Sequence, residues 1–342
     1  MDSAPRSLVL VDLEGILVDR AARTRAVVEA AGIYLESACC IRDGRRLALD
    51  HHAERLRDGA GLSDPWELTA ALILYFLSAL SPALRPPPAR AQRLAQVRAA
   101  FKELNLRYGE LLAHGERDME PFIDSVRERG QGYAAVLAAL KQDTIAGQIL
   151  HASTLSPGPI DPGDHVGRLH QERFLGAELF KALHDQEPEH HAGPGLIDQE
   201  QPVAPPDELR ELARSSQLAL VAPRLDGELR HALGRLGLSE AIPVVVADLP
   251  VHRPARPGPP GADPWALERA RALSDALHGV ETPASRVFVL SERPSQMVAA
   301  AAAGFRPVGF TTTRSARRPL SEAGAQAVIS RPTTLLRAIE AD

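Results

Sequence analysis

A lone strand-like pattern at the start of the chain restricts the possible folds more than any other feature. Residues 7–13, SLVLVDL, form an apolar run typical of a strand that is buried on both faces. Residues 21–204 show helical patterns and no convincing strand, whereas strand and helix patterns alternate after Pro205. This alternation predicts an α/β fold with a Rossmann-like parallel sheet and helices on both faces.

The first strand is expected to join that sheet, which makes the helical segment an insertion after it. We therefore expect an α/β core from residues 1–20 and 205–342, with an all-helical insertion at 21–204. Within the insertion, Asp64 and Pro65 are typical of a helix start, and Gly32 is typical of a helix end. Long amphipathic patterns at residues 91–112 and 119–141 predict two further helices.

Composition and charge narrow the function classes. The chain of 342 residues has a net charge of −5, so it offers no basic surface for nucleic acid. The most apolar segment, residues 68–80, is shorter than the roughly 20 residues that a membrane-spanning helix needs. Cys39 and Cys40 are adjacent, and no apolar leader precedes the first strand, so we expect a reducing, cytoplasmic location.

Acidic residues stand where two of the predicted strands end. Ligands of open α/β sheets bind beyond the carboxyl ends of the strands, and Asp12 follows the first apolar run directly. Its carboxylate could act as a nucleophile or hold a cation, Glu14 could act as an acid, and Gly15 allows a tight turn. Glu292 ends another strand, and one carboxylate from each strand end would suit Mg²⁺. The alternative is that Asp12 only caps a loop.

These segments resemble two motifs of the haloacid dehalogenase superfamily. VLVDLEGIL resembles its first motif, Asp-x-Asp-Gly after a strand, with Glu14 in the second acidic position. LSERPSQMVAAAAAG resembles its fourth motif, with Glu292 and Gln296 in the acidic positions. Parts of the insertion also resemble the helical cap of a phosphoglycolate-phosphatase-like branch. Residues 82–165 look like an additional elaboration of that cap.

The resemblance implies roles for individual residues. Asp12 would be the nucleophile that forms an aspartyl-phosphate, and Glu14 the acid and base. The metal ligands for Mg²⁺ would be Asp12, Glu14 and Glu292. The phosphate-binding positions of the family, a hydroxyl and a lysine, fall here on Ala222 and on Arg253 or Arg256. Ala222 offers no side-chain donor, and an arginine keeps the charge of lysine with a different geometry.

The leading functional expectation is a Mg²⁺-dependent phosphatase that acts on a small phosphorylated metabolite. The alternative is a catalytically impaired pseudo-phosphatase that binds a phosphorylated metabolite or a protein. Dehalogenation by Asp12 is a third and weaker interpretation, because it leaves Glu292 without a role. The enlarged cap suggests either a bulky substrate or a homodimer contact. Two histidine-rich segments, residues 50–54 and 184–191, lack zinc-protease spacing and are interpreted as solvated.

Overall fold

The computed structural model describes residues 6–62, 64–78, 98–99, 101–102, 119–140, 165–248 and 263–340. Its contacts divide the chain into two units, one of residues 1–20 and 200–342 and one of residues 21–199. The first is called the α/β unit below and the second the helical unit.

The helical unit holds helices and no strand among its described residues. Its helices are α1 Ala21–Ser37, α2 Asp50–Ala60, α3 Pro65–Ser78, α4 Met119–Arg127, α5 Tyr133–Ala139 and α6 His165–His184, with short 3₁₀ helices at Gly44–Arg46 and Leu196–Gln199. Helix α1 packs against α3 and α6, and its fully buried Val27 and Tyr34 belong to the main apolar core of this unit. The prediction of an all-helical segment is confirmed for the described residues.

The α/β unit is built on one six-stranded parallel sheet, which confirms the predicted fold class. Its strands are β1 Leu8–Val11, β2 Gln217–Ala222, β3 Val244–Ala247, β4 Val287–Ser291, β5 Arg306–Phe310 and β6 Ala327–Ile329. Its helices are α7 Pro206–Ser215, α8 Asp226–Leu236, α9 Trp265–His278, α10 Pro294–Ala302, α11 Arg317–Glu322 and α12 Leu336–Glu340, with 3₁₀ helices at Ala284–Arg286 and Pro332–Leu335.

The strand order β3-β2-β1-β4-β5-β6 places β1 at the centre of the sheet. Its alternate residues face two different cores: Val9 and Val11 lie in one, and Leu8 and Leu10 lie in the other. All four side chains are at most 1% exposed. The continuous apolar pattern of the first strand therefore follows from burial on both faces.

Residues 200–204 belong to the α/β unit, although the sequence placed them in the insertion. They hydrogen-bond to the loop that follows β1: the Asp19 N–H donates to the Gln201 carbonyl at 2.9 Å, and the Ala204 N–H donates to the Ile16 carbonyl at 2.8 Å. These backbone hydrogen bonds connect residues 200–204 to the loop after β1, which belongs to the same unit.

Two local predictions in the helical unit are wrong. Helix α1 does not end at Gly32 but continues to Ser37. A Cβ atom on Gly32 would lie 2.7 Å from the Arg45 Cα atom, so the glycine allows a close backbone approach. The single helix predicted at residues 119–141 is two helices, because Gly130 and Gly132 between them adopt positive φ angles of 123° and 78°.

The predicted start of α3 is confirmed. The Asp64 Oδ1 atom accepts hydrogen bonds from the Trp66 and Glu67 N–H groups at 2.8 and 3.1 Å. Pro65 occupies the first helical position, where its missing N–H costs nothing. A search of the described helices for one with the length and hydropathy of a membrane span finds none.

Candidate active site

The carboxyl ends of β2, β1 and β4 lie side by side where the strand order changes direction. Asp12 follows β1, Ala222 ends β2 and Ser291 ends β4. The Asp12 N–H donates to the Leu290 carbonyl at 3.0 Å, which fixes its backbone against β4. Ligand crevices of open α/β sheets form at such switch points. The segments singled out on β1, β2 and β4 therefore meet at one place.

Asp12 is 4% exposed, and both of its carboxylate oxygens accept hydrogen bonds. Oδ1 accepts from the Leu13 N–H at 2.9 Å. Oδ2 accepts from the Ser291 hydroxyl and from Arg293 Nε, each at 2.7 Å. Burial opposes the charge of Arg293, but the adjacent Asp12 carboxylate outweighs it and raises the pKa of Arg293. Asp12 is thus held in an ion pair of which the carboxylate is buried and the arginine side chain is 18% exposed.

Glu14 takes part in a second, partly buried ion pair. Its Oε1 atom accepts from Arg224 Nη2 at 3.0 Å, and the same Nη2 donates to Glu200 Oε1 at 2.6 Å. The side chains of Arg224 and Glu200 are fully buried. Although burial works against the guanidinium charge, Glu200 and Glu14 raise the pKa of Arg224 above its ordinary value. Arg224 therefore joins two carboxylates.

Glu292 forms a third ion pair, with Arg20. Burial raises the pKa of the Glu292 carboxyl above its ordinary value, and the nearby charges of Asp12 and Glu14 act in the same direction. Arg20 counteracts this rise. The acidic residue at the end of β4 is thus paired with a cation from the loop that follows β1.

Gly15 makes room for the Glu292 carboxylate. Its φ angle is +77°, and a Cβ atom on it would lie 1.8 Å from the carboxyl carbon of Glu292. The glycine is therefore needed both for its backbone conformation and for the approach of this side chain. The tight turn expected at Gly15 is confirmed by this φ angle.

The ion pairs do not fit the predicted Mg²⁺ site at Asp12, Glu14 and Glu292. Among the described residues, no group of three His, Cys, Asp or Glu side chains is placed to hold a metal ion. Each of the three carboxylates binds a guanidinium instead, and a guanidinium cannot lose its proton in a protein. A divalent cation would have to share the position with a fixed positive charge.

The predicted phosphate-binding positions supply no side-chain donor for a phosphoryl group among the described residues. Ala222 is fully buried, and its carbonyl accepts from the N–H groups of Arg224 and Asp248 at 2.9 and 2.8 Å. Its side chain can donate nothing to a phosphoryl oxygen. Arg253 and Arg256 lie outside the described residues.

A cavity of about 10 Å³ adjoins Asp12, Ser291, Arg293 and Gln296. Gln296 is 6% exposed, and its Oε1 atom forms no hydrogen bond within the described part of the chain. This volume accommodates about one water molecule, although six of its ten described lining residues are apolar. The space between Asp12 and Gln296 in the described part of the chain is thus of the size of one water.

Three arginines of the site were missed by the sequence reasoning: Arg20, Arg224 and Arg293. Two of them carry a positional signal, because Arg224 and Arg293 each stand two residues after the end of a strand. That is the same offset as Glu14 has from Asp12. Arg20 and Glu292 show no comparable sequence pattern. Their pairing depends on the space that Gly15 leaves for the Glu292 carboxylate.

The arrangement limits the chemistry open to Asp12. A carboxylate has about four lone-pair sites, and three donors already occupy sites on Asp12. Attack on phosphorus by Oδ2 would use electron density that Ser291 and Arg293 now engage, whereas Oδ1 accepts one hydrogen bond, from the Leu13 N–H, and keeps one lone pair. Proton transfer by Glu14 would require it to leave Arg224. The ion pairs hold the Asp12 and Glu14 carboxylates in place. Catalysis through Oδ2 of Asp12 or through Glu14 would require the ion pair of that residue to open.

Comparisons with known proteins bear on the fold. No family model matches the sequence, and no curated protein sequence matches it. Among solved structures, an X-ray structure of a structural-genomics target has a TM-score of 0.64 at 17% identity, with 98% of each chain covered. The phosphatase Tt82 from Thermococcus thioreducens has a TM-score of 0.50 at 14% identity, with 98% of this chain and 100% of that chain covered.

A haloacid dehalogenase-like protein of unknown function from Agrobacterium tumefaciens has a TM-score of 0.43 at 17% identity, with 98% of each chain covered. Identities this low report on the fold alone. The two structures with TM-scores of at least 0.50, one of them a phosphatase, confirm the predicted fold at that level. The chain has the α/β fold of these solved structures.

Proposed function

We propose that the protein is a haloacid dehalogenase-like binding module whose hydrolase centre is closed by arginine–carboxylate ion pairs. One observation carries the proposal: Asp12, Glu14 and Glu292 each bind an arginine of the same unit. These are the residues that phosphatase chemistry would need free. The protein then acts through what it binds and not through phosphate release.

Electrostatics supports this proposal. Two unit charges 4 Å apart interact by about 4 kcal/mol at the effective dielectric of a protein surface, and a divalent ion doubles that value. A Mg²⁺ ion beside Asp12 would meet this repulsion from Arg293. It would also have to replace hydrogen bonds to a charged group, each worth about 1.5–3 kcal/mol. The ion pairs therefore have to open before Mg²⁺ can bind these carboxylates.

The competing function is a Mg²⁺-dependent phosphatase that works through an aspartyl-phosphate. The position of Asp12 after the central strand favours it, as does Glu14 two residues later. In that reaction Asp12 would attack the phosphoryl group, and Glu14 would protonate the leaving oxygen and then activate water. Both residues would first have to be released from Arg293 and Arg224.

Phosphate release distinguishes the two functions. The full chain and an Asp12→Asn variant are incubated with p-nitrophenyl phosphate and Mg²⁺, and inorganic phosphate is measured over time. Enzymes typically turn over at about 1–10³ s⁻¹, so the assay detects even a strongly impaired phosphatase. We expect equal release from both proteins, because Arg293 already pairs with Asp12 at the position that Mg²⁺ would need.

Circular dichroism serves as the control that Asp12→Asn folds like the parent protein. Release that depends on Mg²⁺ in the parent protein and disappears in the folded Asp12→Asn variant would establish the phosphatase and overturn the proposal.

A further inference from the structure

The helical unit contains a cavity of about 420 Å³, within the size range of small-molecule sites. Its apolar walls come from Val28 and Ile33 of α1 and from Leu169 of α6. All of its described lining residues belong to residues 21–199. The cavity is therefore a feature of the helical unit alone.

The polar lining of this cavity is mainly cationic and aromatic. Arg173 forms an ion pair with Glu29, and its Nη1 atom lies 3.0 Å from Nδ1 of His191. Arg45 adds a second guanidinium. The Nε2 atom of His190 is buried and forms no hydrogen bond to the described residues. Arg45 pairs with Glu36 outside the lining at 3.3 Å, so Glu29 is the one carboxylate among the described lining residues, beside two arginines and two histidines.

The histidine loop is held in place by a buried carboxylate. Glu172 of α6 is fully buried and accepts hydrogen bonds from the N–H groups of Glu189, His190 and His191 at 2.9, 2.5 and 3.0 Å. Its own charge is balanced by Arg168 at 2.8 Å. The sequence favoured a solvated loop here, but these bonds fix both histidines at the cavity wall.

A second contact anchors the other end of the loop. Gly176, where α6 is kinked, has a φ angle of 75°, and a Cβ atom on it would lie 2.2 Å from the Gly195 backbone N. The Ala177 N–H donates to the Gly193 carbonyl at 3.0 Å. The loop is thus tied to α6 on both sides of the histidines, so the cavity wall is preorganised for a ligand.

We propose that this cavity binds a small anion with an apolar body, such as a phosphate monoester, a phosphonate or a carboxylate. Arg173 and His190 contact the anionic group, and the walls formed by Val28, Ile33 and Leu169 cover the apolar part. This proposal rests on the binding role proposed above. Its test measures affinity, whereas the test of the closed centre measures phosphate release, so the two can fail separately.

Phenylphosphonate is a suitable probe, because it carries an anion and a ring and cannot be hydrolysed as an ester. Isothermal titration calorimetry of the full chain should give saturable binding. Arg173→Gln and His190→Ala should each weaken that binding by at least about tenfold, since a hydrogen bond to a charged group is lost. The neutral benzyl alcohol should bind much more weakly than phenylphosphonate.

Arg55→Gln is the matched control, because Arg55 lies in the same unit, outside the cavity lining, and pairs with Glu120. It should leave the affinity for phenylphosphonate unchanged. Glu29 is not substituted in any of these variants. Circular dichroism checks that each variant is folded. The proposal is overturned if phenylphosphonate does not bind, if benzyl alcohol binds equally well, or if folded Arg173→Gln and His190→Ala keep the parent affinity.

Discussion

Replacing Arg224 by methionine should lower the free energy of unfolding of the α/β unit by about 3–5 kcal/mol, the usual cost of removing one partner from a buried ion pair. Glu200 would remain fully buried without its cation, and Glu14 would lose the same contact. Urea unfolding followed by the fluorescence of Trp265 in a Trp66→Phe background reports on this unit. Trp66 and Trp265 are the two tryptophans of the chain.

Arg230→Met is the matched control. Arg230 pairs with Asp226 at 2.7 Å on α8, but both side chains are more than half exposed. Exposed pairs are worth about 0–1 kcal/mol, so this variant should unfold almost like the parent. A double variant, Arg224→Met with Glu200→Gln, should lose less stability than the sum of its single changes. Equal, small losses from Arg224→Met and Arg230→Met would show that the buried arrangement is not formed.

Replacing Glu67 by glutamine should stabilise the helical unit above pH 7, by up to about 3 kcal/mol. Burial, with the adjacent charge of Asp64, raises the pKa of Glu67 from 4.5 to about 7. The folded protein therefore keeps this proton up to about pH 7, whereas the unfolded chain releases it near pH 4.5. Because the folded state binds more protons in that window, the free energy of unfolding falls as pH rises from 4.5 to 7.

Glutamine carries no charge at any pH and removes this loss. Urea unfolding followed at Trp66 in a Trp265→Phe background measures the effect at pH 4.5 and pH 8. Glu54→Gln, at an exposed position of α2, is the control and should change stability little at either pH. If Glu67→Gln shifts stability equally at both pH values, the charged form of Glu67 is not destabilising.

The architecture could be predicted because it depends on patterns local in sequence. A strand buried on both faces must be apolar along its length, and β1 is. Asp64 and Pro65 mark the start of α3 by hydrogen bonding and backbone geometry that involve only neighbouring residues. Gly32 was misinterpreted because its role depends on Arg45, which approaches it from outside the helix.

The place of the candidate site could also be predicted, since topology alone puts Asp12 at the centre of the sheet edge. The ion pairs that its carboxylates form could not be predicted from the sequence. The partners of Glu14 and Asp12 are 210 and 281 residues distant along the chain, at Arg224 and Arg293. Such pairing depends on side-chain direction and burial, which no local pattern encodes. An acidic motif therefore indicates where chemistry could occur, and the cations around it decide whether it can.

Isothermal titration calorimetry, in which MgCl₂ is titrated into the full chain, tests most directly whether the ion pairs close the hydrolase centre. Asp12→Asn provides the reference, because it removes the carboxylate charge at the central position. We predict that the parent protein and this variant give the same heats, because Arg293 and Arg224 already occupy Asp12 and Glu14. Saturable Mg²⁺ binding that is present in the parent protein and lost in Asp12→Asn would contradict the account.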